Sequence, residues 1–151
     1  MREVNTETLH IEGYASLFDR ADLSGDCVKR GAFTASLLCQ SGQVLPMLFG
    51  HETAEPIGVW TRLIEDRKGL FVEGQILGGD GRSRRTAQLV LAGALSGLSI
   101  GYRAKRSARN STGGRDLYDI DLWEVSIVAF PMLRDARLRL SQSTTPYRLT
   151  A

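Results

Sequence analysis

The feature that most limits how this chain can fold is a succession of short β-like runs, one after another, into which helical periodicity breaks only twice. Leu9 to Leu17 alternates apolar and polar side chains with the period of two expected of a half-buried strand. Val44 to Phe49 and Ile57 to Leu63 are strand-like, and the polar stretch from His51 to Glu55 with Pro56 separates them, so His51 belongs at a strand end or in a loop. Glu65-Asp66-Arg67-Lys68-Gly69 reads as a hairpin turn into an antiparallel partner, Leu70 to Leu77. Two more strands, Leu98 to Lys105 and Leu117 to Phe130, enclose the turn Ser111-Thr112-Gly113-Gly114-Arg115. Within the second, Trp123 to Ala129 is apolar enough to be central in a sheet.

The first helical break follows the turn chemistry of Asp22 to Asp26 and runs from Gly31 to Leu38, with Phe33, Leu37 and Leu38 at helical spacing. The second follows Gly78-Gly79-Asp80-Gly81, puts Ala87, Val90, Leu91, Ala94 and Leu95 on one face, and ends near Gly97. Because the strands are mostly consecutive and show no regular βαβ alternation, the expected class is α+β, a closed or nearly closed β barrel surrounded by a few helices. With 151 residues, 42% of them hydrophobic, the chain fits a single domain over residues 1–140, followed by a polar, loose tail over 141–151.

Nineteen basic against seventeen acidic residues leave a net charge of +2, too little to point to nucleic acid as a partner. The N-terminus is too polar for a signal peptide and no apolar run is long enough to span a bilayer, so a soluble cytosolic protein without a membrane partner is expected. Cys27 and Cys39, eleven residues apart, can form neither a disulfide framework nor a four-thiolate zinc site, and are expected to be reduced, packed thiols.

The sharpest local motif is Gly97-Leu98-Ser99-Ile100-Gly101, a literal G-x-S-x-G. In an α/β-hydrolase the acid and the histidine would follow the serine, but both histidines of this chain, His10 and His51, precede it, and chain order excludes that architecture. A serine hydroxyl needs an adjacent base, and the base needs a group to hold its tautomer. His51, in a polar segment, is the better base; His10, alternating with apolar residues in a strand, reads as an ordinary strand histidine. Glu124 interrupts the apolar run from Leu122 to Val128, and a carboxylate buried there needs a partner, a role a histidine can fill.

These residues and their surroundings carry a resemblance. Gly13-Tyr14-Ala15-Ser16-Leu17-Phe18, Ser24-Gly25-Asp26, Arg30-Gly31-Ala32-Phe33, Leu45-Pro46-Met47-Leu48 running into His51, Pro56-Ile57-Gly58, Gly97-Leu98-Ser99-Ile100-Gly101-Tyr102 and Asp121-Leu122-Trp123-Glu124-Val125-Ser126 follow one another as in the prohead maturation proteases of HK97-like phages. The likeness runs from about Gly13 to Arg137 and extends to the homologous protease of alphaproteobacterial gene transfer agents. It implies a fold resembling the herpesvirus assemblin proteases and a Ser-His pair matching Ser99 and His51, with Glu124 as third member. Glu52, Asp119 and Asp121 are further available carboxylates. In the assemblin relatives the third residue is a second histidine, and this chain has none after Ser99.

The resemblance further implies a serine endopeptidase that needs no metal or cofactor. Its partners would be the major capsid protein, with its scaffold segment as substrate, and the protease itself by autoprocessing; a homo-oligomer is compatible with the family. Its place would be the bacterial host cytoplasm, inside the immature prohead. The alternative from another class is a catalytically silent capsid-assembly or scaffold module with the same barrel, which would be free to lose Ser99 or His51. A small metabolite esterase is disfavoured by chain order. Arg82-Ser83-Arg84-Arg85 reads as a solvated helix start or as a contact for a capsid partner, and Arg103, on the Ser99 face of its strand, as an oxyanion or substrate contact or as plain surface. Nothing around Cys27 suggests a nucleophile.

Overall fold

The computed structural model describes residues 8–79 and 81–141. Among the described residues, eight strands and two helices occur in the order β1 (Leu9–Leu17), β2 (Cys27–Val28), α1 (Thr34–Cys39), β3 (Leu45–Phe49), β4 (Gly58–Glu65), β5 (Gly69–Ile76), α2 (Arg82–Leu91), β6 (Gly97–Arg109), β7 (Arg115–Val128) and β8 (Leu138–Leu140). The tail expected over 141–151 lies, apart from Ser141, outside the described residues.

Sequence periodicity becomes sheet geometry most directly in β1, where Leu9, Ile11, Ala15 and Leu17 are buried and His10 is exposed. β1, β5 and β4 are antiparallel neighbours, as the hairpin at Glu65–Gly69 requires. The pivotal strand is β7. On one edge it pairs antiparallel with β6 along nearly its whole length; on the other it pairs in parallel with β2 at its start and with β3 near its end. A strand flanked on both edges must be apolar on its core face, and Leu117, Ile120, Leu122, Val125 and Ile127 are all fully buried. Trp60 from β4 closes over them and donates its indole N–H to the Val125 carbonyl at 3.0 Å.

The strand order β2-β7-β3-β4-β5-β1-β8, with β6 on β7, is an open path, so the closed form of the expected barrel is not observed. Between β6 and β8 the strands do not pair. That gap is crossed by an isolated bridge between Gly97 and Arg137 and by the bonds from Leu98 N–H to the Ala136 carbonyl (2.9 Å) and Leu138 N–H to the Ser96 carbonyl (2.8 Å). A mixed, sheet-rich α+β domain with few helices is the architecture.

Two local expectations are corrected. α2 stops at Leu91 rather than near Gly97. Gly93, at φ +80°, takes the left-handed C′ position, and Gly93 N–H bonds to the Val90 carbonyl while Ala94 N–H bonds to that of Leu89, the paired pattern that closes a helix. Ala94 is therefore exposed beyond the helix, although Leu95 still packs in the core. In α1, Phe33 and Ser36 face inward but Leu38 is 73% exposed, and Cys39 is exposed rather than packed; only Cys27 is a buried thiol. Six residues of helix cover little more than one face, which Ser36 and Leu37 turn toward the core while Leu38 and Cys39 face outward.

Candidate active site

β7, which carries Glu124, lies between β6, which carries Ser99, and β3, which leads into His51. Ser99 on β6 stands opposite Ser126, and Gly101 opposite Glu124, while in the parallel pairing Leu48 of β3 is the partner of Ser126 and Phe49 of Ile127. Alternation puts Leu98, Val125 and Ile127 into the core, and therefore Ser99, Glu124 and Ser126 on the other face, still largely covered at 7%, 8% and 0% exposure. The G-x-S-x-G segment is thus part of a continuous strand, not the strand-turn-helix elbow of a hydrolase.

His51 reaches this face from a tight turn just past β3. Glu52 N–H bonds to the Phe49 carbonyl at 3.0 Å, and both central residues have positive φ, Gly50 at +57° and His51 at +63°, as in a type I′ turn. Glycine adopts that conformation freely, but for a histidine it is sparsely populated and costs on the order of 1 kcal/mol, so the surroundings must impose it. They do so with two bonds into β7: Gly50 N–H to the Ile127 carbonyl at 3.0 Å and His51 N–H to Ser126 Oγ at 2.9 Å.

The imidazole then bridges Glu124 and Ser99. Nδ1 is bonded to Glu124 Oε1, and Nε2 lies 3.2 Å from Ser99 Oγ. A carboxylate can only accept, so the proton resides on Nδ1 and the Nε2 lone pair faces the serine hydroxyl, the tautomer a general base needs. Glu124 Oε2 accepts the Ser126 hydroxyl at 2.7 Å. The hydrogen bond to Glu124 raises the His51 pKa above its ordinary 6.5; burial works against this, and the Glu124 charge adds to it.

Of the residues singled out from the sequence, Ser99, His51 and Glu124 come together. The other carboxylates do not join them: Glu52 Oε1 accepts the Ala54 N–H, Asp121 accepts the Trp123 indole N–H, and Asp119 stands opposite Arg106. His10 is exposed on β1. Arg103 is exposed opposite Asp121 and does not line the cavity at Ser99. Arg82 begins α2 and lies 3.7 Å from Glu55. Burial pushes the Cys27 thiol pKa up, which argues against a thiolate nucleophile.

Two residues escaped the sequence reading. Gly101 is bare because Glu124 passes over it: a Cβ there would come within 2.8 Å of Cγ and Cδ and nearer still to Oε1. Ser126, the polar residue two positions after Glu124 and hence on the same face, was legible in the period of two but had no partner to suggest a role. At the start of the motif, a Cβ on Gly97 would meet the Val128 carbonyl at 2.6 Å and Pro131 at 2.8 Å, so its need is structural.

A cavity of about 140 Å³ opens at Ser99, walled by Leu17, Val28, Ile100 and Leu133, with Asp22 and Arg20 also lining it. A second, of about 460 Å³, lies beside the His51 turn between Gly50, Glu52, Arg82 and Arg85.

Comparison with known proteins identifies the family of the chain. The family described as caudovirus prohead serine protease matches residues 1–148. The prohead protease of Enterobacteria phage HK97 is 36% identical over 135 residues, 87% of this chain and 60% of that protein; that of Escherichia phage T5 is 28% identical over 144 residues, 93% of this chain and 66% of that protein. The chain therefore spans somewhat under two thirds of the length of these relatives. Among solved structures, the capsid assembly protease of bacteriophage T4 superposes with a TM-score of 0.65 at 14% identity, covering 79% of this chain and 80% of the other. The KSHV protease bound to a hexapeptide phosphonate superposes at 0.61 with 16% identity, over 90% of this chain and 66% of the other. At such identities the likeness is one of fold.

Proposed function

Starting from the fact that this chain belongs to the caudovirus prohead serine protease family, we propose that it acts as a serine endopeptidase that cleaves the scaffold segment of the major capsid protein, and itself, inside the immature head. The observation that carries this reading is the imidazole of His51, bonded to Glu124 through Nδ1 and within 3.2 Å of Ser99 Oγ through Nε2. A nucleophile, a base in the correct tautomer and a buried anion to stabilise its protonated form are the parts acyl transfer needs.

As Ser99 Oγ attacks the scissile carbonyl carbon, its proton passes to His51 Nε2, and Glu124 stabilises the imidazolium that results. The imidazolium returns that proton to the departing amine as the C–N bond breaks, leaving the acyl group on Ser99. Water then attacks the ester, giving its proton to Nε2, and the proton returns to Ser99 as the ester opens. The cavity at Ser99, lined by apolar side chains together with Arg20, Asp22 and Asp26, has room for one substrate side chain, and the groove beside the His51 turn offers room for the chain on the other side of the cut.

In this reading residues 1–140 form one protease unit, and the sheet is a nearly closed barrel, supported by the bridge between Gly97 and Arg137 just ahead of β8. No helix among the described residues is long and apolar enough to cross a membrane, which is compatible with work inside a protein shell. The test is co-expression with the major capsid protein and mass measurement of the capsid protein's new N-terminus. A truncated capsid protein with wild type and an intact one with Ser99→Ala is the expected result; truncation by both removes Ser99 from the mechanism.

A further inference from the structure

We propose that Ser126 is a positioning residue of this site, one hydroxyl that holds His51 and Glu124 in register with each other; the proposal rests on the reading of Ser99, His51 and Glu124 as the catalytic group. A serine hydroxyl has one proton to donate and lone pairs to accept, and both functions of Ser126 are spent on the acid-base pair. Its O–H goes to Glu124 Oε2 at 2.7 Å, and its oxygen accepts the His51 backbone N–H at 2.9 Å.

Three features set this apart from an ordinary polar residue in a strand. A buried serine commonly satisfies itself on nearby backbone; this one bonds to a residue 75 positions away in sequence. It is wholly buried, so bulk water has no ready access to replace it. It also stands where three strands meet, opposite Ser99 on one side and paired with Leu48 on the other, so displacing it disturbs both routes into the site at once.

The division of labour on Glu124 follows from the geometry. With Oε2 taken by Ser126, the carboxylate cannot turn about its terminal torsion, and Oε1 is presented to His51 Nδ1. With its N–H held by the same oxygen, His51 is kept at φ +63°, from which its ring points at Ser99. Loss of the hydroxyl frees both groups. The bond between them weakens, and the elevated His51 pKa falls back toward 6.5.

The test is a steady-state comparison of wild type, Ser126→Ala, Ser126→Cys and Ser99→Ala on a peptide spanning the capsid cleavage site, with kcat, KM and the acidic limb of kcat/KM each measured on folded protein. Ser126→Ala is expected to lower kcat about 10- to 100-fold with KM changed less than about twofold, and to move the limb to lower pH. Ser126→Cys, with a weak donor at the same place, is expected in between. Wild-type kcat and an unmoved limb in Ser126→Ala, or in Ser126→Cys should the alanine variant not fold, overturn the proposal. So does a loss of rate that merely follows the folded fraction. Activity in Ser99→Ala is a separate outcome that overturns the underlying reading instead.

Discussion

Two carboxylates are buried against β7, one at each end, and they are closely matched. At its start Asp26 meets Arg115; near its end Glu124 meets His51. Each acidic side chain is 11% exposed, and each basic partner is a little under half exposed. Asp26 is fully engaged: Arg115 donates from its Nη2 at 2.8 Å, its Nε at 3.3 Å and its backbone N–H at 3.0 Å, tying the 22–26 turn to the sheet. That guanidinium holds the Asp26 carboxyl below its ordinary 3.8, and arginine does not give up its proton, so the pair stays charged at working pH. Glu124 has a partner that can lose a proton, and on the far side of that partner lies a serine hydroxyl. Burial is the same in both places; the titrating partner and its second neighbour separate a fastening from the candidate site.

The strongest way to break this contrast is to remove the second neighbour or the partner. Ser99→Ala and His51→Ala are each expected to abolish capsid processing with little loss of folded protein, and the double variant to be no worse than either, because nucleophile and base act as a unit. His10→Ala should process normally, and mass measurement of the capsid protein after co-expression reads all four. Next come the carboxylates themselves. Glu124→Gln is expected to slow turnover by about two to four orders of magnitude with a nearly unchanged melting temperature. Asp26→Asn is expected to cost about 1–3 kcal/mol of stability while turnover of folded molecules stays within about twofold. Equal loss of turnover in the two variants would erase the distinction.

Gly101→Ala sharpens the comparison, because it crowds Glu124 without changing any polar group. A fall in kcat of about 10- to 100-fold with retained fold is expected, and a wild-type rate would mean that Glu124 need not stay where it is. The smallest effects are those of pH, and their signs are opposite. Asp26, with its pKa lowered, contributes stability present above 3.8 and lost as pH falls through the lowered value. His51, with its pKa raised, contributes stability present below 6.5 and lost as pH rises through the raised value. Melting curves across pH should therefore flatten on the acid side in Asp26→Asn and on the neutral side in Glu124→Gln. The rise of kcat/KM with pH, which needs neutral His51, should sit above 6.5 in wild type and shift downward in Glu124→Gln.

What could be read from the chain alone divides along the same lines. Period-two alternation gave β1 to the residue, and the carboxylate in the apolar run of β7 announced its need of a partner. Which carboxylate faces His51 was open among Glu52, Asp119, Asp121 and Glu124, because pairing across strands is set by register, and register depends on distant chain. The bulge at Trp123, which shifts Leu122 and the residues before it by one against β6, has no local signature at all. Ser126 lay in view as a polar residue on the face of Glu124, but its second partner is a backbone N–H in a left-handed turn, and nothing in the residue types of Phe49 to Glu52 reports that a histidine would occupy such a conformation. α2 was expected to run to near Gly97 because Ala94 and Leu95 continue the apolar spacing of its face, whereas Gly93, in a left-handed conformation, stops it at Leu91.

The parallel pairing of β3 with β7 has a consequence in time. His51 and Glu124 are 73 residues apart in the chain, and His51 and Ser99 are 48 apart. Closing such long loops is entropically costly and slow compared with forming a hairpin, so these contacts belong late in folding. A chain still leaving the ribosome can carry the serine and the histidine, and even the antiparallel hairpin of β4 and β5, before the residue that completes the trio has been made. On the proposed reading of Ser99, His51 and Glu124, the trio cannot assemble before β7 has been made and has paired with β3 and β6.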